Sequence, residues 1–183
     1  WSRGLGDVYK RQVTTLVKAD QDAAYSSLRR TVLDYDRRHG YRGVESYVDL
    51  IDVKSDQDEA LEEAFTDLDD SDDLQPAIVL SADPKTVKVY CRGGEILTIS
   101  GEGLRFAARM LDDKAAPNKR IRRGAVVRIA KAEKGYWEIV QLPEVEAAFI
   151  SASPIDGAVR ALVGGFDFNR NKFNHTTQAW RQP

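Results

Sequence analysis

At 183 residues, 42% hydrophobic and 31% charged, the chain is long enough for one packed domain with pieces of others, and its composition excludes disorder as the default. A formal net charge of −2 leaves no excess of Lys and Arg for neutralising phosphates, which argues against a general polyanion binder. The single Cys excludes an internal disulfide, and no stretch approaches the ~20 apolar residues of a membrane span.

Residues 1–12 (WSRGLGDVYKRQ) have no clean period and read as a leader from cloning or sequence assembly, outside the fold. Residues 13–17 (VTTLV) are β-branched and predict a strand. Asp20 is then placed to cap a helix in which Ala24, Leu28, Val32 and Tyr35 recur at helical spacing. That helix ends near His39-Gly40, where glycine supplies a left-handed cap. Residues 44–73 are polar and acidic. A helix is predicted there from a Ser55 or Asp56 cap through Phe65, with Leu61, Ala64 and Phe65 as its apolar side. The acidic run 67–73 lacks the sixth-position Gly and twelfth-position Glu of a calcium loop, so it reads as a solvated loop.

Residues 75–142 form the expected core. Strands are predicted at 77–82, 86–92 and 95–100, then a short helix at 104–111, then strands at 125–131 and 136–142. Three strands, a helix and two strands is the order of an OB barrel. Val87, Val89 and Cys91 face one way, which makes Cys91 a core thiol. Beyond it, 148–152 and 158–163 read as a hairpin around Pro154, Asp156 and Gly157, ended by Gly164-Gly165. The fold expected is therefore mainly β with helices (α+β). A five-stranded OB-like barrel over 75–143 follows a linker strand, helix and acidic segment over 13–74, and a β-hairpin segment over 144–183 comes last.

Several stretches resemble a known family. VGGFDF (163–168), followed by KFN (172–174), TQ (177–178) and RQP (181–183), resembles the opening of the transpeptidase domain of class A, bifunctional penicillin-binding proteins. YDRRHGYRG (35–43) resembles the box that follows the glycosyltransferase domain in the Gram-negative members. GAVVRI (124–129) and YWEIVQLP (136–143) resemble the end of their OB-like insert. The resemblance implies a fragment that stops just before the nucleophilic Ser, with neither active site inside it. It implies that the whole protein is a single-pass enzyme on the periplasmic face of the bacterial inner membrane, which polymerises glycan strands and cross-links stem peptides. The insert would then be a non-catalytic spacer, whose partners are the flanking domains of its own polypeptide and an outer-membrane lipoprotein activator. Tyr35, Asp36, Arg38, His39, Gly40, Tyr41, Arg42, Gly43, Gly164 and Gly165 are the expected junction residues.

No catalytic, cofactor or metal residue is expected within the chain. Penicilloyl transfer needs Ser-x-x-Lys and a Lys-Thr-Gly strand. No Ser here has Lys three positions on, and Lys85-Thr86 is followed by Val87. His39 and His175 lack companion ligands at metal spacing; His39 reads as a helix C-terminal residue and His175 as an exposed one. Gly164-Gly165 is not followed by the Lys-Ser/Thr of a phosphate loop. Lys114, Lys119, Arg120, Arg122 and Arg123 form the one basic cluster, a candidate partner-contact loop. On an OB fold such a cluster raises the alternative of a free-standing module binding nucleic acid or oligosaccharide. Few aromatics interleave with it, and single-strand binders need stacking platforms, so no nucleic-acid partner is expected.

Overall fold

A computed structural model of the chain describes residues 13–50, 58–66 and 68–180. The expected leader, the Ser55 and Asp56 cap candidates, Asp67 and the last three positions lie outside the described residues. The elements run α1 (Lys18–Arg38), β1 (Ser46–Tyr47), α2 (Asp58–Glu63), β2 (Gln75–Asp83), β3 (Thr86–Cys91), β4 (Ile96–Ser100), β5 (Ala125–Lys131), β6 (Trp137–Val140), β7 (Phe149–Ala152) and β8 (Val159–Val163). The chain divides into two compact units, one of Asp34–Glu144 and one drawn from Trp1–Leu33 and Val145–Pro183. Among the described residues no helix is long and apolar enough to cross a membrane.

The first of these units is built on a six-stranded antiparallel sheet. β5 is its axis. One edge of β5 pairs with β2, which leads on to β3 and β4; the other edge pairs with β1 near Ala125 and with β6 from Arg128 onward. The expected five-stranded barrel is corrected to this open sheet, because among the described residues no ladder joins β4 to β6. A 3₁₀ turn, Gly101–Leu104, packs against both strands instead. A Cβ at Gly103 would stand 2.1 Å from the Trp137 carbonyl oxygen and 2.8 Å from Ile99 Cγ2, so only glycine admits that approach. The single helix expected over 104–111 is likewise two 3₁₀ turns, the second being Ala108–Leu111. Residue 107 sits between them at ψ near 0, which breaks α-helical continuity.

Strand alternation places Ala77, Val79, Val87, Val89, Cys91, Ala125, Val127 and Ile129 on one face, against Ile99, Leu104, Ile121 and Ile139. The opposite face carries Ile78, Tyr90 and Val126, and the α2 segment covers it with Leu61 and Phe65. Phe65 stacks on Tyr90 at 6.2 Å between ring centroids. Because both faces are covered, β5 is buried along nearly its whole length, including Arg128. The Arg128 guanidinium is satisfied there: Nε and one terminal nitrogen donate to Glu45 at 2.8 and 3.0 Å, and the other donates to the Asp69 carbonyl at 2.5 Å.

The second unit is the β7–β8 hairpin with the N-terminal part of α1. Its core holds Ala24, Leu28 and Val32 of the helix with Ala161, Val163 and Phe166. The Arg29 guanidinium lies 4.2 Å over the Phe166 ring and donates to the Phe166 carbonyl at 3.2 Å. Gln21 donates to the Leu162 carbonyl and accepts from the Leu162 N–H, an amide bridge to β8. Residues 13–17, expected as a strand, are not one. The segment makes single bonds to β8, from Val17 N–H to the Arg160 carbonyl at 2.9 Å and from Thr15 Oγ1 to the Val159 carbonyl at 2.6 Å, without a ladder. Asp20 is not the cap either; α1 starts at Lys18 and Asp20 lies in its first turn.

Candidate functional site

The densest polar arrangement of the Asp34–Glu144 unit joins its two ends. Asp36 sits on the last turns of α1 and is buried. Its Oδ1 accepts from Arg42 at 2.6 Å, and its Oδ2 accepts from Gln141 Nε2 at 2.7 Å. The same Gln141 nitrogen donates to the Gly40 carbonyl at 3.0 Å, while its Oε1 accepts from the Arg42 backbone N–H at 2.9 Å. Arg42 also donates to the Leu142 carbonyl at 2.6 Å and pairs with Glu144 at 3.1 Å. Asp36, suited by its type to an arginine fork, thus meets Arg42. Residues 141–144 supply the other half of the arrangement.

The backbone makes this possible at two glycines. Gly40 at φ +84° ends the helix and turns the chain so that Tyr41 points inward. Gly43 at φ +125° lets the chain pass Lys119, whose Cβ would be 2.8 Å from any side chain there. Tyr41 is buried edge-on to Phe106, and burial pushes its phenol above the ordinary tyrosine range, with Glu45 and then Tyr47 adding. His39 donates from Nδ1 to the Tyr35 carbonyl at 2.9 Å, the helix C-terminal role its position suggests. Arg38 lies 5.8 Å over the Tyr35 ring.

In the hairpin unit, Gly164 and Gly165 allow a close approach. A Cβ on Gly164 would meet the Asn174 side chain at 2.7 Å, and the His175 N–H donates to the Gly164 carbonyl at 2.8 Å. His175, expected to be exposed, is half-buried because the Asn174 turn folds it back edge-on to Phe173 at 4.8 Å. The basic loop is largely used within its own unit. Arg120 pairs with Asp113, and Arg122 lies 4.6 Å over the Tyr47 ring, whose single hydroxyl proton is shared between the Arg120 carbonyl at 2.6 Å and the Pro117 carbonyl at 2.9 Å. Arg122 and Arg123 border a cleft of about 460 Å³ beside Val48 and Leu50.

Residues 41–145 match the model of the penicillin-binding protein OB-like domain. The chain belongs to this family. Penicillin-binding protein 1A of Neisseria lactamica is 42% identical over 174 residues, covering 94% of this chain and 22% of that protein. The namesake from Escherichia coli K12 is 36% identical, covering 94% of this chain and 21% of its own length. The crystal structure of penicillin-binding protein 1A from Haemophilus influenzae superposes with a TM-score of 0.74 at 30% identity, over 90% of this chain and 23% of that one. The chain thus spans about a fifth of the length of these relatives.

Within this OB-like domain, Gln141 and Arg128 are the residues that sequence reasoning missed. Both occur inside strand-like runs, where a polar side chain predicts a solvent face. The signal for each was parity: Arg128 shares the face of Val126, and that face is covered. Among the described residues no group of three His, Cys, Asp or Glu side chains could hold a metal ion. Cys91 is buried in the core, and burial, with Glu95 adding, pushes its thiol up to about 11, which makes it inert as a nucleophile near neutral pH.

Proposed function

We propose that this segment is a non-catalytic spacer between the glycosyltransferase and D,D-transpeptidase modules of a bifunctional peptidoglycan synthase. It would work in bacterial cell-wall biosynthesis at the periplasmic face of the inner membrane. In this reading, residues 13–74 are the linker, 75–143 the OB-like core and 144–183 the start of the transpeptidase module. Family membership and the names of the relatives support it. One observation carries it: Asp36, Arg42 and Gln141 tie the point where the chain enters the OB-like domain to the point where it leaves. A spacer that sets the bearing of flanking modules needs a rigid exit as well as a rigid body, and a buried, charge-assisted network supplies that. The basic loop at Lys114 and Lys119 is the contact that this reading gives to an outer-membrane lipoprotein activator.

The test uses a full-length protein carrying this segment, with Asp36→Ala and Arg42→Ala together. Glycan polymerisation should persist while peptide cross-links per glycan fall severalfold. Equal loss of both activities, or loss of neither, would overturn the spacer reading. A fluorescent penicillin should leave the 183-residue chain unlabelled, because no Ser-x-x-Lys lies within it.

A further inference from the structure

A second feature of the Asp34–Glu144 unit lies outside the tie between its ends. An open groove of about 700 Å³ runs between the end of α1, the second 3₁₀ turn and the start of β6. That is within the ~300–1,000 Å³ of pockets that hold small ligands or short chain segments. Its floor is apolar, with Phe106 and Met110 half-buried against the core. Its rim carries four guanidiniums, Arg37, Arg38, Arg105 and Arg109, against two carboxylates, Glu102 and Glu138.

The charges are not balanced. Glu138 is engaged by Arg37, and Glu102 by Arg105 at 3.6 Å in an exposed pair. Among the described residues, Arg38 meets only the Tyr35 ring and the Arg109 guanidinium has no partner. Both are exposed and keep their donor forks free for carboxylates. We propose that this groove docks an acidic protein segment, with carboxylates on Arg38 and Arg109 and an apolar side chain on the Phe106–Met110 floor.

The geometry favours a peptide over the other polyanions. Nucleic acids and glycans are gripped through open ring faces. Here Tyr41 is buried and Phe106 is turned edge-on to it, so that of the Tyr and Phe rings lining the groove among the described residues Tyr136 alone is exposed. Glu102 and Glu138 would also repel a polymer with a phosphate or sulfate at every step. A peptide can space its carboxylates to avoid them. The inference rests on this unit alone and stands whether or not the spacer reading holds.

The experiment is fluorescence anisotropy of the whole chain with a fluorescein-labelled peptide of interspersed Glu and Leu residues. Saturable, salt-sensitive binding is expected, weakened about tenfold or more by Arg38→Glu and by Arg109→Glu. Lys85→Glu, in the exposed β2–β3 turn and outside the groove lining, should change it less than twofold (about 0.4 kcal/mol). Both arginines are exposed, so the variants should keep their unfolding midpoints; if either does not, Arg105→Glu gives the same readout. No saturable binding, equal weakening by Lys85→Glu, or tighter binding of oligo-dT or a sulfated glycan would overturn the proposal.

Discussion

Gln141 Nε2 donates to Asp36 Oδ2 at 2.7 Å across 105 positions of sequence. A buried carboxylate on a helix end and a buried amide past the last sheet strand satisfy each other, and Arg42 satisfies both. Removing one member leaves the others short of partners, which costs more than the bond itself is worth.

Arg42→Ala should therefore destabilise the OB-like domain by about 2–3 kcal/mol, since it strands the Asp36 carboxylate. Gln141→Leu should cost about 1–3 kcal/mol by leaving Asp36 Oδ2 and the Gly40 carbonyl unmet. The double variant should cost clearly less than the sum, because one network is lost once. Urea denaturation of the three variants checks this; strict additivity would mean the network does not act as a unit.

Gly103→Ala should be among the most damaging single-methyl changes, about 2–4 kcal/mol, because the new Cβ runs into the Trp137 carbonyl oxygen. Gly135→Ala is the control. Its position is open but has φ +88°, so the cost should be only the ~1 kcal/mol of left-handed backbone. Thermal unfolding of the pair separates crowding from backbone conformation, and similar losses would count against the plugged gap.

Glu45→Ala should destabilise by about 3–5 kcal/mol, leaving the buried Arg128 guanidinium without its carboxylate. Arg128→Met with Glu45→Leu should recover most of that loss, since an apolar pair replaces an ion pair on a face already covered by Leu61 and Phe65. Arg128→Lys should not recover the wild-type value, because a point charge cannot hold both oxygens and the Asp69 carbonyl. Unfolding free energies of these variants decide the matter.

Burial holds Cys91 in its neutral form, with a folded pKa of about 11 against an ordinary value near 9. The folded state thus retains a proton that the unfolded chain releases first. This contribution to stability is complete below about pH 9 and is lost as pH rises through about 11. Urea midpoints at about pH 8 and about pH 10.5 should show the loss, and Cys91→Ala should make it shallower. Tyr41, also raised by burial, contributes to the part that remains. A thiol reagent should react with Cys91 only on unfolding; fast reaction with the folded protein would contradict a buried thiol.

The sequence by itself determined the strands from Gln75 onward and the turns between them, but not the short β1, and the strand it suggested at 13–17 did not form. β-Branched alternation at Thr86–Cys91 and the glycines at 93, 94, 135 and 157 are local signals, and each marks a local event. The motif types at 35–43 and 163–168 likewise carried the family. Tertiary structure alone decided what the strands do together. Whether β4 meets β6 depends on a 3₁₀ turn entering between them, and no residue of either strand encodes that neighbour. The burial of Arg128 depends on a helix some 70 positions upstream covering the second face of the sheet. The tie between Asp36, Arg42 and Gln141 is of the same kind. Local preference fixes φ and ψ within a few residues, whereas a buried polar side chain is stable only once distant partners have arrived to satisfy it.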